Sequence, residues 1–154
     1  MIEVVEEVDK IVEKMAMRLP GFETDIGASA SQIFQVEKEF DAVLPRDYKY
    51  FLNKFGYVSW DGSDILGICS DSEMKVYFSM PYYTKCDRES ILPKHFTQRP
   101  SNTVIVGAYG GGGHFFLHCN NSNSPGKVVL LLDELHGKPA DESWGSFTDF
   151  LRHY

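Results

Sequence analysis

His114 and His118 stand four residues apart with Cys119 directly after, and imidazole with thiolate is a donor set for zinc. The setting argues against it. Gly113-His114-Phe115-Phe116-Leu117-His118 has a strand pattern, and along a strand two residues four apart share a face but lie roughly 13 Å apart, too far to hold one ion. The sequence has no H-E-x-x-H to set two ligands one helical turn apart, and no metal is expected. The glycine run from Gly110 to Gly113 raises phosphate binding. A phosphate loop, however, needs glycines that open a helix, so that backbone N–H groups and the helix dipole meet the anion. These lead into a strand, and a β-connection accounts for them. Asp133, Glu134 and His136 follow the apolar run Val128 to Leu132. As an acid/base set they need a bend, because neighbours on a strand point to opposite faces. There is no G-x-S-x-G and no recognisable Cys/His couple. The chain reads as a non-enzyme without a cofactor.

Binding is the better-supported chemistry. Trp60 beside Asp61, and Tyr82-Tyr83 after Pro81, are aromatics placed among turn signals, and Trp and Tyr are enriched at interface hot spots. Against this stands the ordinary expectation that such rings fill a core. Asp133 and Glu134 stand at the exit of a strand, while Asp61, Asp64, Asp71, Glu73, Asp141 and Glu142 are read as scattered in loops, without EF-hand spacing and only generic as partner-facing carboxylates. The formal charge is −7. A nucleic-acid binder would show a basic stripe, whereas an acidic chain is steered toward a basic partner, or is merely kept soluble. Cys69, Cys86 and Cys119 are odd in number and lack any C-x-x-C, as expected of free thiols in a reducing compartment. With no basic, apolar leader and no membrane-length apolar run, a cytoplasmic location is expected.

The elements that must position these residues are legible from periodicity. Ile2 to Leu19 is an amphipathic helix, with Val4, Val5, Val8, Ile11, Val12, Met15 and Leu19 on its inner side, ended by Pro20-Gly21. Phe22 to Ala28 reads as a connector. Ser29 with Gln32 three residues on has capping-box spacing, opening a second helix striped by Ile33, Val36 and Phe40. A third helix is marked at both ends, by Pro45 at its first position and by Gly56 as a left-handed cap. Tyr48, Phe51, Leu52 and Phe55 form its single apolar stripe. A hairpin follows, Tyr57 to Trp60 and Ile65 to Ile68 about an Asp61-Gly62 turn. Met74 to Met80 reads as a strand and Pro81 to Arg99 as irregular, with a helical turn near Glu89 to Leu92. Thr103 to Val106, His114 to Cys119 and Val128 to Leu132 are strands, the last two joined by the turn-rich loop Asn120 to Gly126. Ser146 caps a final helix with Phe147, Phe150, Leu151 and Tyr154 on one face. Helices first, strands next and a helix last make an α+β chain with a mainly antiparallel sheet, expected as a single domain over residues 1–154.

Taken in series these residues resemble the SUKH superfamily, the group of the Smi/Knr cell-wall synthesis regulator and many bacterial immunity proteins. The marks are the helix ending near Glu37 and Phe40, then Leu44-Pro45-Arg46-Asp47-Tyr48-Lys49-Tyr50-Phe51-Leu52 closing at Gly56. They continue with Ile65-Leu66-Gly67, with Val104-Ile105-Val106-Gly107 and its glycine-rich sequel, and with Ser146-Phe147-Thr148-Asp149-Phe150-Leu151. They span residues 31–153 in order. Many relatives carry a G-D-x-x-x-x-D pattern after the glycine-rich turn, whereas this chain has Gly113-His114-Phe115-Phe116-Leu117-His118-Cys119, so roles tied to those acids do not carry over. The resemblance implies a twisted central β-sheet flanked by helices, with Leu44, Pro45, Tyr48, Phe51, Leu52, Gly56, Gly67, Phe147, Phe150 and Leu151 as structural residues. It also implies a cytosolic antidote without catalysis, which binds a cognate toxin domain, often a nuclease or deaminase. The expectation is a monomer engaging a basic toxin through Trp60, Asp61, Asp64, Tyr82, Tyr83, Asp133 and Glu134, without contacting nucleic acid or membrane. The alternative is a regulatory or scaffold module of the Smi/Knr kind.

Overall fold

The computed structural model describes residues 2–69, 76–89, 100–110, 112–132 and 139–154. Helix α1 spans Ile2–Arg18 and buries Val8, Val12 and Met15, with Ile11 and Leu19 packed at the edge of the core. The expected connector contains a short strand, β1 (Glu23–Thr24), which pairs with β2. Two polar residues carry too little pattern to reveal it. Helix α2 (Ala30–Phe40) opens on the expected capping box: the Gln32 amide donates to Ser29 Oγ at 3.1 Å, and Gln32 Oε1 accepts the Ser29 amide at 2.8 Å. Helix α3 covers Arg46–Phe55, so Pro45 is the cap itself rather than the first helical residue, its carbonyl accepting the Lys49 amide at 2.9 Å.

The hairpin forms as β2 (Val58–Trp60) and β3 (Ser63–Ile65) about Asp61-Gly62. Both turn residues have positive φ, 39° and 82°, the backbone that a two-residue turn between twisted strands requires. The second strand lies earlier than expected because Leu66, Gly67 and Ile68 leave the hairpin for other partners. Their amides donate to the Val106, Phe78 and Gly56 carbonyls at 2.8, 2.9 and 3.0 Å. The largest corrections follow. Val76–Phe78 is a 3-10 turn, not a strand, and Met80–Arg88 is a helix, α4, where irregular chain was expected. The expected turn near Glu89 to Leu92 lies mostly outside the described residues. Strands β4 (Thr103–Tyr109), β5 (Gly113–His118) and β6 (Val128–Leu132) are joined by an unexpected β7 (Pro139–Trp144), so Asp141 and Glu142, like Asp64 in β3, stand in a strand, not a loop. Helix α5 (Phe147–Arg152) closes the chain, the Asp149 amide donating to its cap, Ser146 Oγ, at 3.0 Å.

The α+β architecture is as expected, with the strands divided between two antiparallel sheets, β1-β2-β3 and β4-β5-β6-β7. Both faces of the larger sheet are covered. Phe115 packs on Phe150 of α5 (ring centroids 5.0 Å apart), while its neighbour His114, pointing the other way, meets Tyr83 of α4 at 6.4 Å. Beneath α5 the α3 stripe forms an aromatic cluster. Tyr48 and Phe51 meet Phe147 edge-on at 4.7 and 5.1 Å, and the buried Tyr48 hydroxyl donates to the Leu66 carbonyl at 2.8 Å.

Asp47, buried in the first turn of α3, bonds the start of α5. Its Oδ2 accepts both the amide and the hydroxyl of Thr148, at 2.9 and 2.8 Å. Gly56 ends α3 with φ 74° and ψ −65°, a γ-turn in which the Tyr57 amide donates to the Phe55 carbonyl, rather than the expected left-handed cap. Gly67 lies against it: a Cβ on Gly67 would fall 1.5 Å from the Gly56 carbonyl oxygen.

Gly67→Ala is therefore expected to cost about 3 kcal/mol or more, enough to leave little folded protein, as measured by urea denaturation or soluble yield. Tyr48→Phe keeps the ring but orphans the Leu66 carbonyl, and should lower stability by about 1–2 kcal/mol in the same assay.

Candidate functional site

Helix α4 is fixed to the sheet by polar bonds as well as packing. Ser79 Oγ accepts the Tyr82 amide at 3.2 Å, capping the helix, and Pro81 sits in the first turn. Thr84, buried one turn on, accepts the Ile105 amide at 3.0 Å beside the β4 irregularity. Arg88 donates to the carbonyls of Phe40 at 2.7 Å and Thr103 at 3.1 Å, tying the end of α2 to β4. With Met80, Thr84 and Asp87 turned inward, Tyr82 falls on the outer side.

The 3-10 turn before α4 is pinned by Phe78, whose ring stacks on Tyr57 at 4.5 Å with planes 5° apart. Tyr77 is thereby turned to solvent and is 71% exposed, against 47% for Tyr82. Tyr83 is half-buried, edge-on to Tyr82 at 5.5 Å. Asp64 of β3 is half-buried close to Tyr83 and Tyr154 and raises the pKa of both phenols, burial being the larger cause in each. Burial lifts the Asp64 carboxyl itself to about 6. Three tyrosines and one partly desolvated aspartate thus share a surface built from β3, the 3-10 turn and α4. The structure brings Asp64, Tyr82 and Tyr83 together, as the sequence had suggested separately, and adds Tyr77. That residue was missed because the strand pattern ascribed to Met74 to Met80 hid its outward position.

Trp60 is corrected. It is a core residue, 8% exposed, with its ring against Tyr154 at 5.0 Å. Val58 and Trp60 face inward on alternate positions of β2, so the turn beside Trp60 did not expose it. Asp61 is exposed at the hairpin tip. Asp133, Glu134 and His136 lie outside the described residues. His118 is buried, its Nδ1 3.1 Å from Ser122 Oγ, and burial lowers its pKa, with Lys127 adding to the effect. Burial pushes the Cys119 thiol up to about 11, so it is protonated at neutral pH and poor as ligand or nucleophile. Among the described residues no group of three His, Cys, Asp or Glu could hold a metal, and no helix is long and apolar enough to cross a membrane.

The order of elements around this surface, from α2 through α5, can be set beside known families. The family described as SUKH_6, SMI1-KNR4 cell-wall, matches residues 30–151. The chain belongs to the SUKH superfamily. No curated protein matches it significantly. The SUKH match takes in Asp64, Tyr77, Tyr82 and Tyr83, while α1 precedes it. The tyrosine and aspartate surface is thus part of the SUKH domain proper.

For Asp64 the sign of the pH effect follows from its raised pKa. Between pH 4 and 6 Asp64 holds its proton more in the folded SUKH domain than in the unfolded chain, so this group lowers stability as pH rises through that window. Asp64→Asn should stabilise the protein at pH 7, on the order of 1–2 kcal/mol after allowing for partial exposure, and flatten the pH 4 to 6 slope in thermal melts.

Proposed function

We propose that this SUKH protein is a cytoplasmic antidote that binds a toxin domain stoichiometrically and carries out no reaction itself. SUKH domains are commonly of the immunity-protein type, and the observation that supports the reading on this chain is the surface of Tyr77, Tyr82, Tyr83 and Asp64. Exposed tyrosines give large, rigid contact area at low entropic cost. A −7 chain draws in a basic partner, as a nuclease-like toxin with a cationic cleft for phosphates would be. In this arrangement the tyrosines supply apolar anchors and Asp61 with Asp64 the charges around them. A regulatory or scaffold role is the second reading, favoured by the cell-wall wording of the matched family.

Co-expression with the product of the adjacent gene should restore growth and yield a stable complex if that product is the toxin. A neighbour that neither harms cells nor binds would sink the antidote reading and favour the scaffold. In the complex, Tyr77→Ala with Tyr82→Ala should weaken affinity by about 2 kcal/mol or more, chiefly through faster dissociation in surface plasmon resonance. Asp61→Asn should instead slow association and reduce its salt dependence. Unchanged kinetics in all these variants would place the interface elsewhere.

A further inference from the structure

Helix α1 and the end of α5 enclose a groove of about 340 Å³ whose chemistry is opposite to that of the molecule as a whole. In a chain of net charge −7, its rim carries Lys10, Lys14, Arg18 and Arg152 against the carboxylates of Glu7, which lines it, and Asp149, which bonds Arg152 beside it. Its floor is apolar, formed by Ile11, Met15 and Tyr154. Arg152 is engaged by Glu7 at 3.0 Å and by Asp149, and Arg18 donates to the Tyr154 carbonyl. Lys10 and Lys14 are exposed and make no ion pair among the described residues. Every lining residue falls outside the span that matches the SUKH family. The groove is thus lined entirely by residues that flank the matched span.

The spacing selects the occupant. Lys10, Lys14 and Arg18 recur every fourth residue, so their charges are strung along roughly 12 Å of helix rather than converging on a point. A phosphate calls for convergent donors. A row of cations over an apolar floor complements a chain that repeats carboxylates at about 6 Å beside apolar side chains, the interval of i, i+4 on a helix. We infer that the groove between α1 and α5 docks an acidic amphipathic segment of a protein partner, at a site separate from the tyrosine surface. Carboxylates of that segment meet Lys10 and Lys14, and its apolar side chains lie on Ile11, Met15 and Tyr154.

The probe is a fluorescein-labelled amphipathic peptide with glutamates at i, i+4 and i+8 next to leucines, read by fluorescence anisotropy at low and high salt. Saturable binding by the wild-type chain is expected, weakened about tenfold or more by Lys10→Glu with Lys14→Glu and left unchanged by Tyr82→Ala. Both lysines are exposed, so circular dichroism should show the double variant folded; if it is not, Lys10→Gln with Lys14→Gln replaces it with the same direction of effect. Four results would overturn the inference: no saturable binding, equal binding by the charge-reversed variant, equal binding of a lysine-for-glutamate peptide, or displacement by inorganic triphosphate at matching concentration. Light scattering that shows a dimer abolished by the same reversals would also overturn it, by giving the groove to a second copy.

Discussion

The carbonyl oxygen of Gly56 occupies the place where a side chain at residue 67 would begin, 1.5 Å from an ideal Cβ. Most of the fold is organised by that contact. Because two backbones touch there, Ile68 can donate to the Gly56 carbonyl, Gly67 can exchange bonds with Phe78 and Met80, and Leu66 can reach Val106 of the large sheet. The end of α3, the exit of the small sheet, the start of α4 and the edge of the large sheet thus meet over three residues. Any side chain at 67 would separate all four, which is why the γ-turn at Gly56 is more than a helix stop.

The elements of the molecule differ in how much of them is readable in sequence. Helices α2 and α5 declare themselves because capping residues and an apolar stripe agree, Ser29 with Gln32 and Ser146 with Phe147 and Phe150, and α3 does so by its stripe of Tyr48, Phe51 and Leu52 alone. Strands β5 and β6 are equally plain as apolar runs buried on both sides. Helix α4 was not legible. Its inner face is polar, with Thr84 and Asp87 beside Met80, and it is held by the Ile105 amide and by Arg88 rather than by an apolar stripe. Strand β7 was hidden for a related reason, since Pro139-Ala140-Asp141-Glu142-Ser143-Trp144 shows no alternation and is a strand only because β6 supplies its ladder.

The candidate surface inherits this division. Tyr82 and Tyr83 were visible as residue types, but their grouping with Asp64 depends on α4, and the exposure of Tyr77 depends on Phe78 stacking on Tyr57. Trp60 went the other way: a turn neighbour in sequence, it closes over Tyr154, which itself packs on Phe150. Local composition identified which residues had the chemistry of contact. Only tertiary packing decided which of them kept a free face.

The bond from Asp47 to Thr148 joins residues 101 positions apart. Thr148 lies in a helix whose Phe147, Phe150 and Leu151 are fully or almost fully buried against α3 and β5. On the ribosome, then, the first helices must wait with their aromatic stripe uncovered until residues 147–151 have emerged from the exit tunnel. Closure of the core is a late, long-range step, and until it happens the apolar surface that α5 will later fill is open to non-native contacts.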